Sequence, residues 1–469
     1  MRKAALLLSS MLLTTAVLAA EVNVPPTGGG ADVTVYNGDL ALVREQRTFR
    51  LPAVTAQLAF SWVSSAMQPE TALLDVTKGD ALKIIEQNFN FNTISQQTLL
   101  ERAIGQQVTI FVPNAAGLSV PVRAKVLAAD GPVFEIDGKI HTGIPGRIVF
   151  DTLPAGVRAS PTLLLSVTGA ANKDVEAELS YLTGGLSWKA DYVMNYDADA
   201  ARMDLTGWAT VTNTTGATFN NARLKLVAGD INRVSGPMRP QAMRMQEKGM
   251  VANAAMADGF TEGEVEGSHV YAMGKSVTLG DKETKQLSLL GAKGIATTRE
   301  LVVRNNQPYI YQSVMRGQVM KSKAAIELAF KNDAASKLGV PLPAGVMRVY
   351  GMDEQGAAQF LGESPIGHTA EGAEARLTLG RDFDVDVDRE QTNFVHAADT
   401  INVSVWKVTV KNAKARPLKV RLIEPMPSSW EITKESHPHK NANAGSTEWL
   451  LDVPAKGQTV LEYNVKSTH

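Results

Sequence analysis

The sequence predicts a mainly β protein of tandem β-sandwich, immunoglobulin-like modules, with a small barrel-like insertion and one short helix. Three observations lead there. Apolar and polar residues alternate at period two through most of the chain. Clusters of Gly, Asn, Asp and Pro punctuate those runs at strand-like spacing. The best helix candidate is a single short stretch, Ser95 to Ile104.

The elements follow in chain order. Residues 1–20 have the layout of a secretory signal peptide. Arg2 and Lys3 precede an almost wholly apolar run, Ala4 to Leu18, and small residues lead to Glu21. Cleavage is expected near Ala19 or Ala20, with a periplasmic or secreted destination. No later segment reaches about 18 uninterrupted apolar residues, so no further span is expected. Pro25 to Gly30 reads as a flexible leader. Val33 to Tyr36, the turn Asn37-Gly38-Asp39 and Leu40 to Arg44 read as a hairpin, Asn-Gly supplying positive φ. Gln46 to Leu51 and Ala56 to Phe60 continue the pattern.

In the helix candidate, Ser95 or Thr93 can cap the start, Leu99, Leu100, Ala103 and Ile104 form one stripe, and Gly105 can end it. Short strands from Gln107 to Leu153 suit a small barrel or curled sheet. The expected organisation is an N-terminal β-domain from 21–93 and 154–200, interrupted by a helix-plus-barrel insertion at 94–153. A central β-domain spans 201–320. Within it, Gly236 to Gly267 breaks the strand pattern and holds Met238, Met243, Met245, Met250 and Met256, which reads as a mobile excursion. A C-terminal β-sandwich fills 321–469, its last strands being Ile401–Lys411, Leu418–Glu424, Glu448–Val453 and Thr459–Val465. Its loops include Pro425 to Trp430 and His437 to Gly445.

Composition excludes several classes. With 47 basic and 48 acidic side chains the formal charge is −1, so no bulk attraction to nucleic acid or anionic lipid is expected. The absence of Cys removes disulfides, thiolate nucleophiles and Cys-ligated metals. Hydrophobic residues make up 44%, an ordinary globular content.

Several stretches carry a family likeness. They are Tyr36 to Val43, Gly185-Leu186-Ser187-Trp188-Lys189-Ala190-Asp191-Tyr192, Gly207-Trp208-Ala209-Thr210-Val211-Thr212-Asn213, and Val277-Thr278-Leu279-Gly280 through Leu289. Phe383 to Arg389 and Trp449 to Tyr463 add to it. Together they resemble the bacterial family defined by domain of unknown function 4139, with a distant likeness to proteins called mucoidy inhibitor A. The resemblance implies an exported, β-rich protein and carries no catalytic residues.

Four constellations are weighed as sites. Asp382, Asp384, Asp386 and Asp388 would share one strand face, where clustered oxygens could hold Ca²⁺. Arg389 and Val395 break the EF-hand pattern, and an exposed acidic row that discourages edge pairing is the better reading. His437 and His439, with Glu435, could share a metal, but no third ligand is fixed and a solvated loop is favoured. Ser187 with Lys189 as its base lacks the nucleophile elbow, since Lys189 stands where Gly is needed. Met243 and Met245 could bind Cu(I), against a loosely docked loop. Asn213 and Asn402 match glycosylation sequons by chance, Asn213 fitting a turn residue better.

No residue is assigned to catalysis, and no cofactor or metal is expected. The function expected is an exported, non-catalytic envelope protein whose edges and loops bind a protein or glycan partner. The alternative is a hydrolase of envelope polymers, its acid–base pair drawn from Asp191 or Asp230 with Glu300.

Overall fold

Period-two alternation becomes strand almost everywhere. The computed structural model describes residues 20–113, 117–143, 146–229, 260–265, 267–305, 313, 318–443 and 445–468. The expected signal peptide lies outside them except for Ala20, which opens a strand (Ala20–Val24). Among the described residues, no helix is long and apolar enough to cross a membrane.

Five sheets carry the described residues. A four-stranded sheet holds Ala20–Val24, Thr55–Ser61, Thr162–Thr168 and Lys83–Asn90. An eight-stranded sheet combines N-terminal strands with Phe219–Ala228, Phe260–Val265 and Ser268–Met273. Its two parts meet where Ala31–Tyr36 runs parallel to Phe219–Ala228, with Val33 opposite Leu224. A five-stranded sheet centres on Leu186–Asp197, flanked by Arg202–Asn213 and, in parallel, by Gly345–Met352. One apolar core, running from Val24 to Leu377, draws side chains from all three sheets.

That continuity alters the expected boundaries. The border at 200/201 falls in the turn between two strands paired from Leu186↔Asn213 to Asp197↔Arg202. Strands Gly345–Met352 and Ala358–Ile366, assigned by sequence to the C-terminal sandwich, extend the central five-stranded sheet instead. Long-range parallel pairing of this kind leaves no local trace in sequence.

The insertion is built as expected from a helix and short strands. Gln96–Arg102 is helical, and the Ser95 side chain accepts from the Thr98 N–H at 3.0 Å. Leu100 and Ala103 are buried against the five-stranded antiparallel sheet of residues 107–149, while Ile104 is 51% exposed and leaves the expected stripe. In the first hairpin, positive φ falls on Gly38 (86°) and Asp39 (54°), not on Asn37. Of the expected excursion, 236–259 and 266 lie outside the described residues, while Phe260–Val265 forms a strand paired with Ser268–Met273.

The C-terminal sheet has nine strands and brackets its own core. Trp406, Trp449, Tyr463, Leu422 and Leu451 are fully buried there, with Trp449 and Tyr463 ring centroids 4.7 Å apart. His439–Asn443, expected as loop, pairs with Ser446–Val453 as an edge strand. One end of this core is charged. Arg389 donates through Nε and Nη2 to the two oxygens of buried Glu424 at 2.9 and 3.0 Å, and its guanidinium lies 3.5 Å from the Trp406 ring centroid. Removing one member of a buried pair leaves a charge without compensation. Arg389→Met is therefore expected to lower unfolding free energy by about 3–5 kcal/mol, and combining it with Glu424→Leu to recover part of that loss. Urea denaturation reads the two single variants and the double; a double variant that loses the sum of the two single losses would show that the pairing does not matter.

Candidate ligand cleft at the sheet junction

Strand Leu40–Arg50 alternates from Leu42 onward, so Val43, Glu45, Arg47 and Phe49 all point inward. Arg47 has no exposed surface. Its Nε donates to Glu45 Oε2 at 3.0 Å, and Nη2 bonds the same oxygen. Its Nη1 reaches the neighbouring sheet, donating to Val24 O at 3.2 Å and Ser61 O at 3.1 Å. One guanidinium fork thus ties two sheets together.

Ser61 ends its strand, and the chain leaves through Trp62 at φ 62°. A bulky side chain with left-handed backbone is a genuine outlier. Its surroundings over-determine it. Arg47 holds the carbonyl before it, and the Trp62 N–H donates to Ser160 Oγ at 3.1 Å. Beyond it Val63 is fully buried and Ser64 Oγ lies 2.6 Å from Thr183 Oγ1. The indole itself stays 52% exposed. Strain of this kind persists where a site uses it. Tyr181, whose hydroxyl accepts from the Ser64 N–H, has its phenol pushed well above the usual range by burial and then by the charge of Glu45.

The opposite wall is a knot of turns. The Asn213 amide donates to Ala217 O at 2.9 Å and Leu279 O at 3.0 Å, while its Oδ1 accepts from the Thr215 N–H and hydroxyl. The Gly216 N–H donates to Asp281 Oδ1 at 2.8 Å, and the Asp281 N–H to Thr218 Oγ1 at 3.1 Å. Gly216 needs its φ of 76° and sits where a Cβ would be 3.0 Å from Ser65 Oγ. The Ser65 N–H donates to Thr215 O at 2.7 Å, joining the two walls.

Between the walls opens a cleft of about 590 Å³, lined by Trp62, Glu45, Thr218, Asn220 and Asp281 among others. That lies within the size range of small-molecule sites. Pro26, Thr27 and Gly28 form its lip, and the Thr27 hydroxyl bonds Gln46 O. The stretch expected as a flexible leader is thus a wall of the cleft. Gly30 has no room for a Cβ, which would meet Asn221 O at 2.3 Å.

Stretches that carry the family likeness converge beside this cleft. The Gly185 N–H donates to Asp39 Oδ1 at 2.7 Å, the Thr214 N–H to Gly185 O at 2.7 Å, and Asn213 reaches Leu279. A family model described as a domain of unknown function, DUF4139, matches residues 177–469. The chain belongs to this family. No curated protein matches the chain. The DUF4139 region supplies Thr218, Asn220 and Asp281 to the cleft, whereas Glu45, Arg47 and Trp62 precede it.

The sequence candidates fall elsewhere. A register shift in strand Glu374–Ala398 turns Asp382 inward, 3% exposed, and Phe383 outward, 84% exposed, so the four aspartates do not share a face. Each meets a cation: Asp382 and Asp384 face Lys414 at 3.0 and 3.3 Å, Asp386 faces Lys323 at 2.8 Å, and Asp388 faces Lys411 at 2.6 Å. His439 Nδ1 lies 2.9 Å from Glu435 Oε2, which also accepts from Trp449 Nε1, while His437 bonds Ser436. Among the described residues no cluster of three or more His, Asp or Glu could hold a metal. Lys189, weighed and set aside as a base for Ser187, faces Asp191 at 3.6 Å. Met243, Met245 and Asp230 lie outside the described residues. Both sequon asparagines, Asn213 and Asn402, are buried.

Glu300 bonds Arg376 and Arg421 in the nine-stranded sheet, whereas Asp191 belongs to the five-stranded one. Burial pushes the Asp191 carboxyl up, but hydrogen bonds from Thr210 (2.7 Å) and Arg348 (3.0 Å), with the charges of Lys189 and Arg348, bring it below the ordinary aspartate value. A depressed folded pKa contributes stability above the unfolded value and loses it as pH falls through the folded one. The wild type is therefore expected to lose more stability than Asp191→Asn on acidification below pH 3.8, the ordinary aspartate value. Melting temperatures read across that window check this; parallel curves would contradict the pairing.

Proposed function

We propose that this chain is an exported, non-catalytic protein of the bacterial envelope that binds a protein or glycan partner through the Trp62 cleft and its surrounding loops. The observation that carries the reading is an exposed indole held at φ 62° beside a cleft of about 590 Å³. Binding residues sit on loops positioned by rigid scaffolds, and here two sheets and a hydrogen-bonded knot of turns position the rim. The basic–apolar–small pattern of residues 1–20 supports export.

The alternative, a hydrolase of envelope polymers, draws on the two cleft carboxylates, Glu45 and Asp281. Against it, Glu45 Oε2 takes two N–H groups of Arg47 and Asp281 Oδ1 takes that of Gly216.

Cell fractionation with mass spectrometry of the mature N-terminus tests the address, and cross-linking in intact envelopes tests the partner. The expected result is a chain beginning near Ala20 or Glu21 in the envelope fraction, cross-linked to a protein or glycan. A full-length cytoplasmic chain would overturn the proposal. Release of reducing ends from envelope polymer, lost in Glu45→Gln, would replace it with the hydrolase.

A further inference from the structure

The cleft's lining also speaks to the chemistry of what fills it. We propose that the Trp62 cleft is a saccharide subsite, selective for a neutral or amino-bearing sugar over an acidic one. The inference rests on the binding reading above and narrows it to one ligand class.

Trp62 offers a broad, flat, half-exposed indole at the mouth. A pyranose ring presents a C–H face that stacks on such a surface and hydroxyls around its rim. Those hydroxyls need donors and acceptors fixed at the cleft's edge. Asn220, with donor and acceptor on one side chain, is among the lining residues. Asp281 lines the cleft and is anchored through Oδ1 to the Gly216 N–H, so its carboxylate is an acceptor held in place at the rim. Thr218 Oγ1 accepts from the Asp281 N–H, so its hydroxyl proton is available.

Charge sets the selectivity. The charged side chains of the lining are Glu45, Asp281 and Arg47. Arg47 has no exposed surface, and its bonds go to Glu45, Val24 O and Ser61 O. A ligand therefore meets carboxylate oxygens and no accessible cation. An acidic sugar or a phosphate would be repelled, while hydroxyls, amides and an ammonium group would find acceptors. The backbone at Trp62 is set before the ligand arrives, so stacking needs little reorganisation.

The test is calorimetric titration and tryptophan fluorescence on the full exported chain. The probes are triacetylchitotriose, cellotriose, chitosan trimer and, as acidic control, trigalacturonate. At least one of the first three is expected to saturate, and trigalacturonate to bind weakest. Trp62→Ala should weaken binding roughly tenfold or more while melting stays within a few degrees, because the side chain is half exposed. Asp281→Asn should weaken the amino-bearing trimer more than the neutral ones. The inference is overturned by the absence of saturable binding to any neutral or amino-bearing probe, by binding that ignores Trp62→Ala, or by preference for trigalacturonate. Such a failure with the chain still located in the envelope and cross-linked there would remove the saccharide and leave the binding reading standing. A cytoplasmic location would remove the reading itself.

Discussion

A single buried guanidinium organises the N-terminal half of the molecule. Arg47 projects from the eight-stranded sheet and bonds carbonyls of two strands of the four-stranded sheet, Val24 and Ser61. It sits among Val43, Phe49 and Phe60, where an uncompensated charge would be costly. Glu45, two residues away on the same strand face, supplies the countercharge. Buried pairs of this kind add little net stability over apolar packing, but they fix geometry because few alternative arrangements satisfy them. Here the geometry fixed is the exit of a strand into Trp62. The same interaction that joins two layers therefore also sets the mouth of the cleft.

The stretches that carry the family likeness meet at the junction. Asp39, Gly185, Asn213 and Asp281 bind backbone groups of one another's turns. They scaffold the junction. Trp62 and Asn220 lie outside those stretches and line the cleft.

Local rules made much of the fold legible. Alternation placed most strands, Ser95 marked the helix start, and the turn at Asn37-Gly38-Asp39 joined its hairpin. Three features needed tertiary information. The parallel pairing of Ala31–Tyr36 with Phe219–Ala228 joins segments far apart in sequence, so the expected domain borders cut through shared sheets. The bulge near Asp382 breaks a phase that the sequence Asp-Phe-Asp-Val-Asp-Val-Asp keeps perfectly. Trp62 carries no local sign of its left-handed backbone, because the cause lies in Arg47, Ser160 and Val63. One signal was there to use: period two puts Glu45 and Arg47 in phase with Val43 and Phe49, and an opposite-charge pair in a core phase is an informative exception.

Arg47 builds the cleft mouth by holding Ser61 and Val24. Hydrogen–deuterium exchange comparing wild type with Arg47→Met is the decisive measurement. Protection is expected to be lost in the strands and turns beside Val24 and Ser61, with the nine-stranded C-terminal sheet unchanged. Unchanged protection around Trp62, or a loss spread evenly over the whole chain, would contradict it.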